Sequence, residues 1–243
     1  RVDLVTIEDA VNAMDGWIRH PEGGCRFVVN TGFHGLWTAH KDPEFKAIVE
    51  GADLFTPDGI APIWIARLRG VRLPARATGA DIMDRFFALA AKKGYTNYFL
   101  GDTPETLAAL EARLGERYPG IKVVGTHSPP FRALEPGEEQ AMIDEINAVK
   151  PAVLGIGLGL PKQERWNHRY RERLDAKVAM GVGACFGFFS GRVARSPELV
   201  GRMGLEWAWR FLHEPRKLWR RVFVDGPQFV WHVGLEQLGL RRY

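Results

Sequence analysis

Residues 96–120, TNYFLGDTPETLAALEARLGERYPG, decide the fold class of this chain. A short apolar run typical of a buried strand ends in a turn at Gly101-Asp102-Thr103, and Pro104 then begins a segment with helical apolar spacing. The same succession of strand, turn and helix recurs along the 243 residues, with glycine or proline at most boundaries. This alternation predicts an α/β fold with a mostly parallel sheet and helices on both faces.

Further segments repeat this pattern on either side of that stretch. Asp42 and Pro43 begin one predicted helix, residues 79–94 form another that stops at Gly94, and Pro151 closes a third. Strands, with the turns that follow them, are predicted within residues 26–32, 53–59, 121–131, 152–166 and 176–191. Residues 1–200 are therefore predicted to form one α/β domain.

Polar and glycine residues follow several of the predicted strands. In parallel sheets of this kind, ligands bind beyond the carboxyl ends of the strands. Asp58, Gly101-Asp102 and residues 126–131 and 157–163 all come at such ends. The sequence therefore predicts a ligand cleft along one edge of the sheet.

The stretch FTPDGIAPIW, residues 55–64, places an acidic side chain, Asp58, between two apolar segments. One interpretation is local, because Asp is a favoured helix N-cap whose side chain accepts hydrogen bonds from first-turn N–H groups. The other is catalytic: Asp58 is a base at the carboxyl end of a strand, and burial among Phe55, Ile60 and Trp64 raises its pKa toward neutrality. The residues alone leave both interpretations open.

The loop GIGLGLPKQE, residues 155–164, follows a predicted strand and precedes a predicted helix. A dinucleotide-binding G-x-G-x-x-G pattern fits its first two glycines but meets Leu160 at the third, while Asp175 falls near the position of a ribose-binding acid. A solvated helix start is a second interpretation. In a third, loop N–H groups face a phosphate and Gln163 binds a nucleotide or sugar.

Three other positions also have a local interpretation beside a functional one. Asp102 or Thr103 suits a plain helix N-cap, or the turn that begins at Gly101 forms part of a nucleotide cleft. Arg76 is a surface arginine, or it binds a diphosphate through bidentate hydrogen bonds.

Composition excludes several classes of function. Two cysteines, Cys25 and Cys185, are too few for a disulfide framework, so we expect a reducing, cytoplasmic setting. The longest uncharged run, residues 178–191, is shorter than the roughly 18–20 residues of a membrane span, and no secretory signal is visible. No zinc-binding spacing, D-x-D, G-x-S-x-G or P-loop motif is present. The solitary histidines His34 and His127 are assigned no role.

The whole positive excess of +4 lies in residues 201–243. From Gly201 onward there are eight Lys or Arg against four Asp or Glu, and four of the eight tryptophans. Residues 204–223 are predicted as two short helices broken at Pro215. A basic, tryptophan-rich segment favours an anionic lipid surface, although nucleic acid or an acidic partner would meet the same charge. We therefore expect residues 201–243 to form a membrane-associating appendage.

Six motifs, taken in order, resemble the WecG/TagA/CpsF family of glycosyltransferases. They are PDGIAPIWIARLRG (57–70), RATGADIM (76–83), FLGDTPETL (99–107), YPGIKVVGTHSPPF (118–131), VLGIGLGLPKQERW (153–166) and residues 181–221. The resemblance covers about residues 28–222. It implies a Rossmann-like domain with a membrane-docking C-terminal appendage. It also implies inverting transfer of a sugar from a UDP-sugar to a polyprenyl-diphosphate-linked saccharide.

The resemblance also implies roles for individual residues. Asp58 matches the acid of the P-D-G motif, the proposed base, while Arg76 and Gln163 match the R-x-T-G arginine and the P-K-Q-E glutamine. The expected substrate-binding residues are Asn30, Thr31, Arg76, Gly101, Asp102, Gly157, Gly159, Gln163 and Glu164. The residues expected to meet the lipid diphosphate or the membrane are Arg210, Arg216, Lys217, Arg220 and Arg221.

Two departures from the family pattern concern the sugar. Where many members have T-x-N, this chain reads Asn30-Thr31-Gly32. Where many have an acid in a later apolar strand, as in F-D-F, it reads Phe186-Gly187-Phe188. These differences indicate a sub-branch distinct from the N-acetylmannosamine transferases, with glucose, glucuronic acid or another hexose as the transferred sugar.

Together these features predict a metal-independent hexosyltransferase of cell-surface polysaccharide biosynthesis, peripheral on the cytoplasmic face of the inner membrane. Its expected partners are a UDP-sugar, a polyprenyl-diphosphate-linked acceptor and the membrane surface, with no cofactor and no nucleic acid. A homo-oligomer is compatible with the sequence. The competing hypotheses are an NAD-dependent Rossmann oxidoreductase and a non-catalytic scaffold that binds nucleotide sugars.

Overall fold

The computed structural model describes residues 2–73 and 76–240. Within them, six strands form one sheet in the order β2-β1-β6-β5-β3-β4, and every neighbouring pair is parallel. The predicted Rossmann-like α/β class is confirmed. The strands are β1 (Arg26–Thr31), β2 (Leu54–Pro57), β3 (Thr96–Gly101), β4 (Lys122–His127), β5 (Val153–Gly157) and β6 (Val178–Gly181).

Helices connect the strands and continue beyond the last one. Up to β6 they are α1 (Ile7–Arg19), α2 (Phe33–Lys41), α3 (Pro43–Glu50), α4 (Ile60–Leu68), α5 (Gly79–Lys93), α6 (Pro104–Arg117), α7 (Glu138–Val149) and α8 (Lys162–Tyr170). After β6 they are α9 (Cys185–Phe189), α10 (Glu198–Arg202), α11 (Glu206–His213), α12 (Pro215–Arg220) and α13 (Gly226–Gln237). A 3₁₀ turn, Arg171–Arg173, follows α8, and a π-helical turn, Arg221–Asp225, joins α12 to α13.

Local capping explains where three of the predicted helices begin. The side chain of Asp42 accepts a hydrogen bond from the Phe45 N–H at the start of α3, and Thr78 and Thr103 cap α5 and α6 in the same way. α5 ends at Gly94, whose φ of 72° is the left-handed conformation that glycine adopts readily. These helices match their predicted positions because each signal lies within a few residues of the helix end.

Three elements differ from the prediction or were absent from it. α1 precedes the first predicted strand and begins at a capping box formed by Thr6 and Asp9. α2 begins directly after β1, in the stretch NTGFHGLW. Residues 185–189, predicted within a strand and glycine turn, form the short helix α9 instead. That prediction was wrong because β6 ends at Gly181. The rings of Phe186 and Phe189 reach the core from the helix α9 instead of from a strand.

The ring of Phe186 in α9 accounts for two glycines of the 155–164 loop. It makes a T-shaped contact with Phe99, with ring centroids 5.4 Å apart. A Cβ atom at Gly157 would lie 2.5 Å from the Phe186 ring, and one at Gly155 would lie 3.1 Å from Phe99. Packing within the core therefore requires Gly157 and leaves little room for a side chain at Gly155, independently of any ligand.

The C-terminal segment returns to the α/β domain. The break at Pro215 is confirmed, with α11 before it and α12 after it. Beyond the π-helical turn, the ring of Phe229 in α13 contacts Trp37 of α2, with centroids 6.4 Å apart. The Arg69 guanidinium at the end of α4 lies 2.5 Å from the Glu236 carboxylate of α13. The segment is thereby held against α2 and α4.

Replacing Gly157 by alanine should lower the free energy of unfolding by about 1–3 kcal/mol, because the fully buried Phe186 ring must move. Gly16→Ala is the matched control. A Cβ there meets nothing within 4 Å in α1, and alanine favours a helix by roughly 0.5–1 kcal/mol. Urea unfolding followed by circular dichroism measures both variants. A Gly157→Ala protein as stable as the wild type would contradict this packing account.

Candidate active site

A cavity of about 1140 Å³ opens at the carboxyl ends of the strands. This is the edge at which parallel α/β sheets bind their ligands. Segments after all six strands line it, and so does the C-terminal segment. The main contributors from the sheet are residues 30–32, 129–134, 157–160 and 181–184, together with Asp58 and Asp102.

Asp58 follows β2 directly and lies in the wall of this cavity. Its backbone N–H donates to the Thr31 carbonyl at 3.2 Å, and its carboxylate accepts a hydrogen bond from the N–H of Gly79, the first residue of α5. The N-cap of α4 is Gly59, which makes no side-chain cap. The N-cap interpretation of Asp58 is therefore wrong, because its side chain faces α5 rather than the helix that follows it.

Burial is the main cause that raises the pKa of Asp58 to about 6, and repulsion from Glu206 adds to it. The Gly79 hydrogen bond and the positive charges of Arg221 and Arg210 act in the opposite direction. The expected apolar surroundings were partly wrong, since Trp64 is 57% exposed. The groups that set this pKa come from α5 and the C-terminal segment, which are distant in sequence.

Cations of the C-terminal segment reach the same cavity. Arg210, Lys217, Arg220 and Arg221 line it, whereas Arg216 is exposed and outside the lining. Four of the five basic residues expected to meet a lipid diphosphate therefore line the same cavity as Asp58, and Arg221 and Arg210 are close enough to lower its pKa. Their positive charge suits phosphate groups.

Aromatic rings lie under two of these guanidinium groups. Arg210 lies 5.7 Å from the ring centroid of Phe188, and Arg221 lies 5.1 Å from that of Phe33. Burial, followed by repulsion from Arg210, lowers the pKa of Arg221 to about 10. Arg221 thus keeps its charge at neutral pH while most of its surface is enclosed.

Asp225 fastens the C-terminal segment at the rim of the cavity. Its carboxylate accepts hydrogen bonds from Trp37 Nε1 at 3.0 Å and from Lys41 Nζ at 3.1 Å, both in α2. Because Asp225 ends the turn that begins at Arg221, these two bonds hold Arg221 in the cavity wall.

Gln163 and Glu164 brace two glycine loops. The Gln163 Oε1 accepts from the N–H groups of Gly159 and Gly183 at 3.2 and 3.0 Å, and its Nε2 donates to Glu164 at 2.8 Å. Burial is the main cause that raises the pKa of the fully buried Glu164 to about 7. Gln163 lines the cavity and Glu164 does not, so Glu164 can influence a ligand only through the loops.

Asn30 and Thr31 lie at the end of β1, between Asp58 and the glycine loops, and both line the cavity. Asn30 joins the neighbouring strands, because its Nδ2 donates to the Gly181 carbonyl at 3.0 Å and its Oδ1 accepts from the Thr56 hydroxyl. A Cβ atom on Gly32 would lie 2.6 Å from the Asp58 carbonyl oxygen. A residue without a side chain at position 32 is therefore needed for the backbone of Asp58 to approach the end of β1 this closely.

Asp102 lines the cavity in a left-handed conformation, with φ of 60°. Its Oδ1 accepts from the Thr103 N–H at 2.8 Å, and Thr103 is the N-cap of α6, as one of the two interpretations predicted. Gly101 lies outside the lining, and a Cβ there would come within 2.6 Å of Gly157. Gly101 therefore brings the β3 turn close to the β5 turn, while Asp102 faces the ligand space.

Two residues singled out in the sequence lie away from the cavity. Arg76 is not in the lining, and its guanidinium pairs with Glu206 at 3.5 Å. Asp175 is exposed, pairs with Lys150 at 3.4 Å and precedes β6, so it lies at the amino edge of the sheet. The ribose-binding acid of a dinucleotide site would have to lie at the carboxyl edge. The position of Asp175, together with Leu160 in place of the third glycine, leaves the oxidoreductase hypothesis without the residues on which it depended.

The cavity contains residues that the sequence did not single out. His34, assigned no role in the sequence, lines it from the first turn of α2. Residues 132–134 and Trp166 line its other end. His34 follows the end of β1 by three residues, and this closeness to a strand end was the signal that could have found it. Because the sequence analysis did not predict α2, it gave no reason to place the His34 side chain in the cavity.

Two searches of the described ranges, 2–73 and 76–240, bear on other chemistry. No group of three or more His, Cys, Asp or Glu in these ranges lies close enough together to hold a metal ion. No helix in the same ranges is both long and apolar enough to cross a membrane.

Comparison with known proteins identifies the family. The model of the glycosyl transferase WecG/TagA/CpsF family matches residues 1–243. The chain belongs to this family of glycosyltransferases. It is similar to an N-acetylglucosaminyldiphosphoundecaprenol N-acetyl-beta-D-mannosaminyltransferase from Bacillus spizizenii, with 31% identity over 207 residues, which are 85% of this chain and 78% of the relative. The cavity described above is therefore the candidate active site of a WecG/TagA/CpsF glycosyltransferase.

The hypothesis that Asp58 is the catalytic base expects Asp58→Asn to lower kcat by about 10²–10⁴-fold, because an amide cannot accept the proton of an attacking hydroxyl. The same hypothesis expects the affinity for UDP, measured by calorimetry, to change little. Since the pKa of Asp58 in the ligand-free protein is raised to about 6, its carboxylate is protonated below that pH, and the hypothesis expects wild-type kcat/KM to fall as pH decreases through about 6. Asp175→Asn, at an exposed carboxylate on the opposite edge, is the matched control. Near-normal turnover of Asp58→Asn would remove Asp58 from the mechanism.

Proposed function

We propose that this chain is an inverting glycosyltransferase that moves a hexose from a UDP-sugar to a polyprenyl-diphosphate-linked saccharide. The observation that carries the proposal is the position of Asp58, a carboxylate with a near-neutral pKa in a cavity that also contains arginines and glycine-loop N–H groups. Membership of the WecG/TagA/CpsF family supports the same reaction class.

The proposed chemistry needs a base and a site for the leaving group. The Asp58 carboxylate takes the proton of the acceptor hydroxyl while that oxygen attacks the anomeric carbon, and UDP leaves from the opposite face with its negative charge. Positive charge from Arg210 and Arg221 stabilises the charge that develops on a diphosphate. These groups supply the stabilisation without a metal ion, so we propose a metal-independent reaction with no cofactor.

The acceptor class follows from similarity to the Bacillus relative, whose name specifies a diphosphoundecaprenol-linked acceptor and transfer of N-acetylmannosamine. The acceptor proposed here is of the same lipid-linked kind. The donor sugar is proposed to differ, because Asn30-Thr31-Gly32 and Phe186-Gly187-Phe188 depart from the common motifs. Of these, Asn30, Thr31 and Gly32 line the cavity, so this departure is in a position to contact the sugar.

A screen of radiolabelled UDP-sugars against prenyl-diphosphate-linked saccharides, with and without EDTA, tests the reaction. One UDP-hexose should support transfer with inversion at the anomeric carbon, and EDTA should leave the rate unchanged. Tight UDP binding without transfer to any acceptor would favour the non-catalytic scaffold instead. NADH serves as the negative control ligand for the oxidoreductase hypothesis.

We also propose peripheral binding at the cytoplasmic face of the inner membrane, where a lipid-linked acceptor would be reached. The support is a group of exposed apolar side chains near basic ones. Trp219 and Trp231 in the C-terminal segment are 50% and 67% exposed. Trp64 and Leu68 of α4 are also exposed. The ion pair between Arg69 and Glu236 of α13 joins α4 to the C-terminal segment. Tryptophan and arginine together suit an anionic headgroup layer.

Trp219→Ser combined with Trp231→Ser should weaken binding to anionic vesicles, because interfacial tryptophans contribute to such binding. The matched control is Leu4→Ser combined with Val149→Ser, which changes exposed apolar residues outside the C-terminal segment. Sedimentation with phosphatidylglycerol vesicles measures both. Substitution keeps the segment intact, which matters because its arginines line the cavity. Equal sedimentation of both double variants would refute the membrane proposal.

A further inference from the structure

His34 lies in the cavity wall but has no part in the acid–base step proposed for Asp58. It belongs to the first turn of α2, where its carbonyl accepts from the Thr38 hydroxyl at 2.8 Å. Its ring nitrogen Nδ1 is buried and has no hydrogen-bond partner. Because the residue nevertheless lines the cavity, Nε2 is the ring nitrogen that can reach a ligand.

The surroundings of His34 keep its ring uncharged. Burial is the main cause that lowers the pKa of His34 to about 4, and the positive charges of Arg221 and Lys41 lower it as well, against the opposing effect of Asp225. A neutral imidazole carries its proton on one nitrogen and a lone pair on the other. Nδ1 has no partner in either tautomer, and an anion in the cavity can accept a hydrogen bond only from Nε2, so binding of an anion selects the tautomer that carries the proton on Nε2. His34 therefore presents a neutral N–H donor to an anion in the cavity.

The charges next to His34 indicate what accepts this hydrogen bond. Arg221 is the cation that acts most strongly on the ring, and Arg210, Lys217 and Arg220 line the same cavity. This cluster of positive charge suits an anion with several oxygens. A diphosphate has enough oxygens for a guanidinium and an imidazole to bind at the same time. A neutral donor adds a hydrogen bond there without adding a further charge beside Arg221.

We propose that His34 is a diphosphate-binding residue whose Nε2–H donates to a phosphate oxygen of a bound diphosphate beside Arg221. The identity of the ligand rests on the proposed function, which offers two sources of the same chemistry. One is the nucleoside diphosphate of the donor, and the other is the lipid diphosphate of the acceptor. The two sources are separated by the ligands used in the test.

Calorimetric titration of the full chain with UDP and, separately, with geranyl diphosphate tests the contact. His34→Ala should weaken the binding of one of the two ligands by about tenfold or more, as expected for loss of a hydrogen bond to a charged group. His34→Gln should retain most of the affinity, because its amide nitrogen is a neutral donor near the position of Nε2. The control is His168→Gln, at an exposed histidine outside the cavity lining. The ligand whose affinity falls identifies the source of the diphosphate.

A spectroscopic readout separates ligand contact from a purely structural role. In ¹H–¹⁵N spectra of histidine-labelled protein, His34 should remain neutral from pH 5 to pH 8. Addition of the ligand selected by calorimetry should place its proton on Nε2 and shift the Nε2 resonance. This measurement uses the wild-type protein, so it remains decisive if His34→Ala does not fold.

Three results would overturn the inference. They are equal affinity of wild type and His34→Ala for both ligands, a proton on Nδ1 in the ligand-bound protein, and failure of the wild type to bind either diphosphate. The sugar-transfer screen fails or succeeds independently. A protein that binds UDP through His34 but transfers no sugar would contradict the proposed function alone. Sugar transfer with diphosphate affinity unaffected by His34→Ala would contradict this inference alone.

Discussion

A carboxylate enclosed by protein keeps its charge only where N–H donors and cations surround it. Asp58 meets this requirement through groups that several parts of the chain bring into the cleft. The N–H of Gly79 supplies the donor, while Arg210 and Arg221 supply positive charge. Burial and Glu206 act against them, and the balance leaves the pKa of Asp58 at about 6. The group is therefore ionised at neutral pH and is more basic than a solvent-exposed aspartate, which suits a general base.

This balance makes the C-terminal segment a component of the site. The sequence suggested an appendage, residues 201–243, distinguished by charge and tryptophan content. In the structure, its cations line the same cavity as the loops of residues 1–200, and Asp225 joins it to Trp37 and Lys41 of α2. The exposed Trp219 and Trp231 lie on the same segment. One short segment therefore combines charge around the proposed base with a surface suited to lipid.

Several residues that the sequence offered as ligand contacts have a structural task in the fold. Gly155 and Gly157 were weighed as ligand-approach positions, yet the Phe186 ring already requires Gly157 and the Phe99 ring leaves little room for a side chain at Gly155. Gln163 was weighed as a ligand contact, and its amide oxygen accepts two loop N–H groups instead of being free. Such residues act on a ligand mainly by holding the loops in place. The dinucleotide pattern fails at other positions, with Leu160 in place of the third glycine and Asp175 at the amino edge of the sheet.

The sequence by itself determined the α/β class, the helices that begin at Asp42, Thr78 and Thr103, and the edge of the sheet at which polar residues collect. These depend on caps, glycines and apolar spacing, which act between residues a few positions apart. Only the tertiary structure decided that Arg221 and Glu206 stand beside Asp58, that Arg76 pairs with Glu206, and that His34 faces the cavity. The charges of Glu206 and Arg221 act on Asp58 across more than a hundred positions of sequence. Such electrostatic and packing interactions depend on distance in space, which no local pattern records.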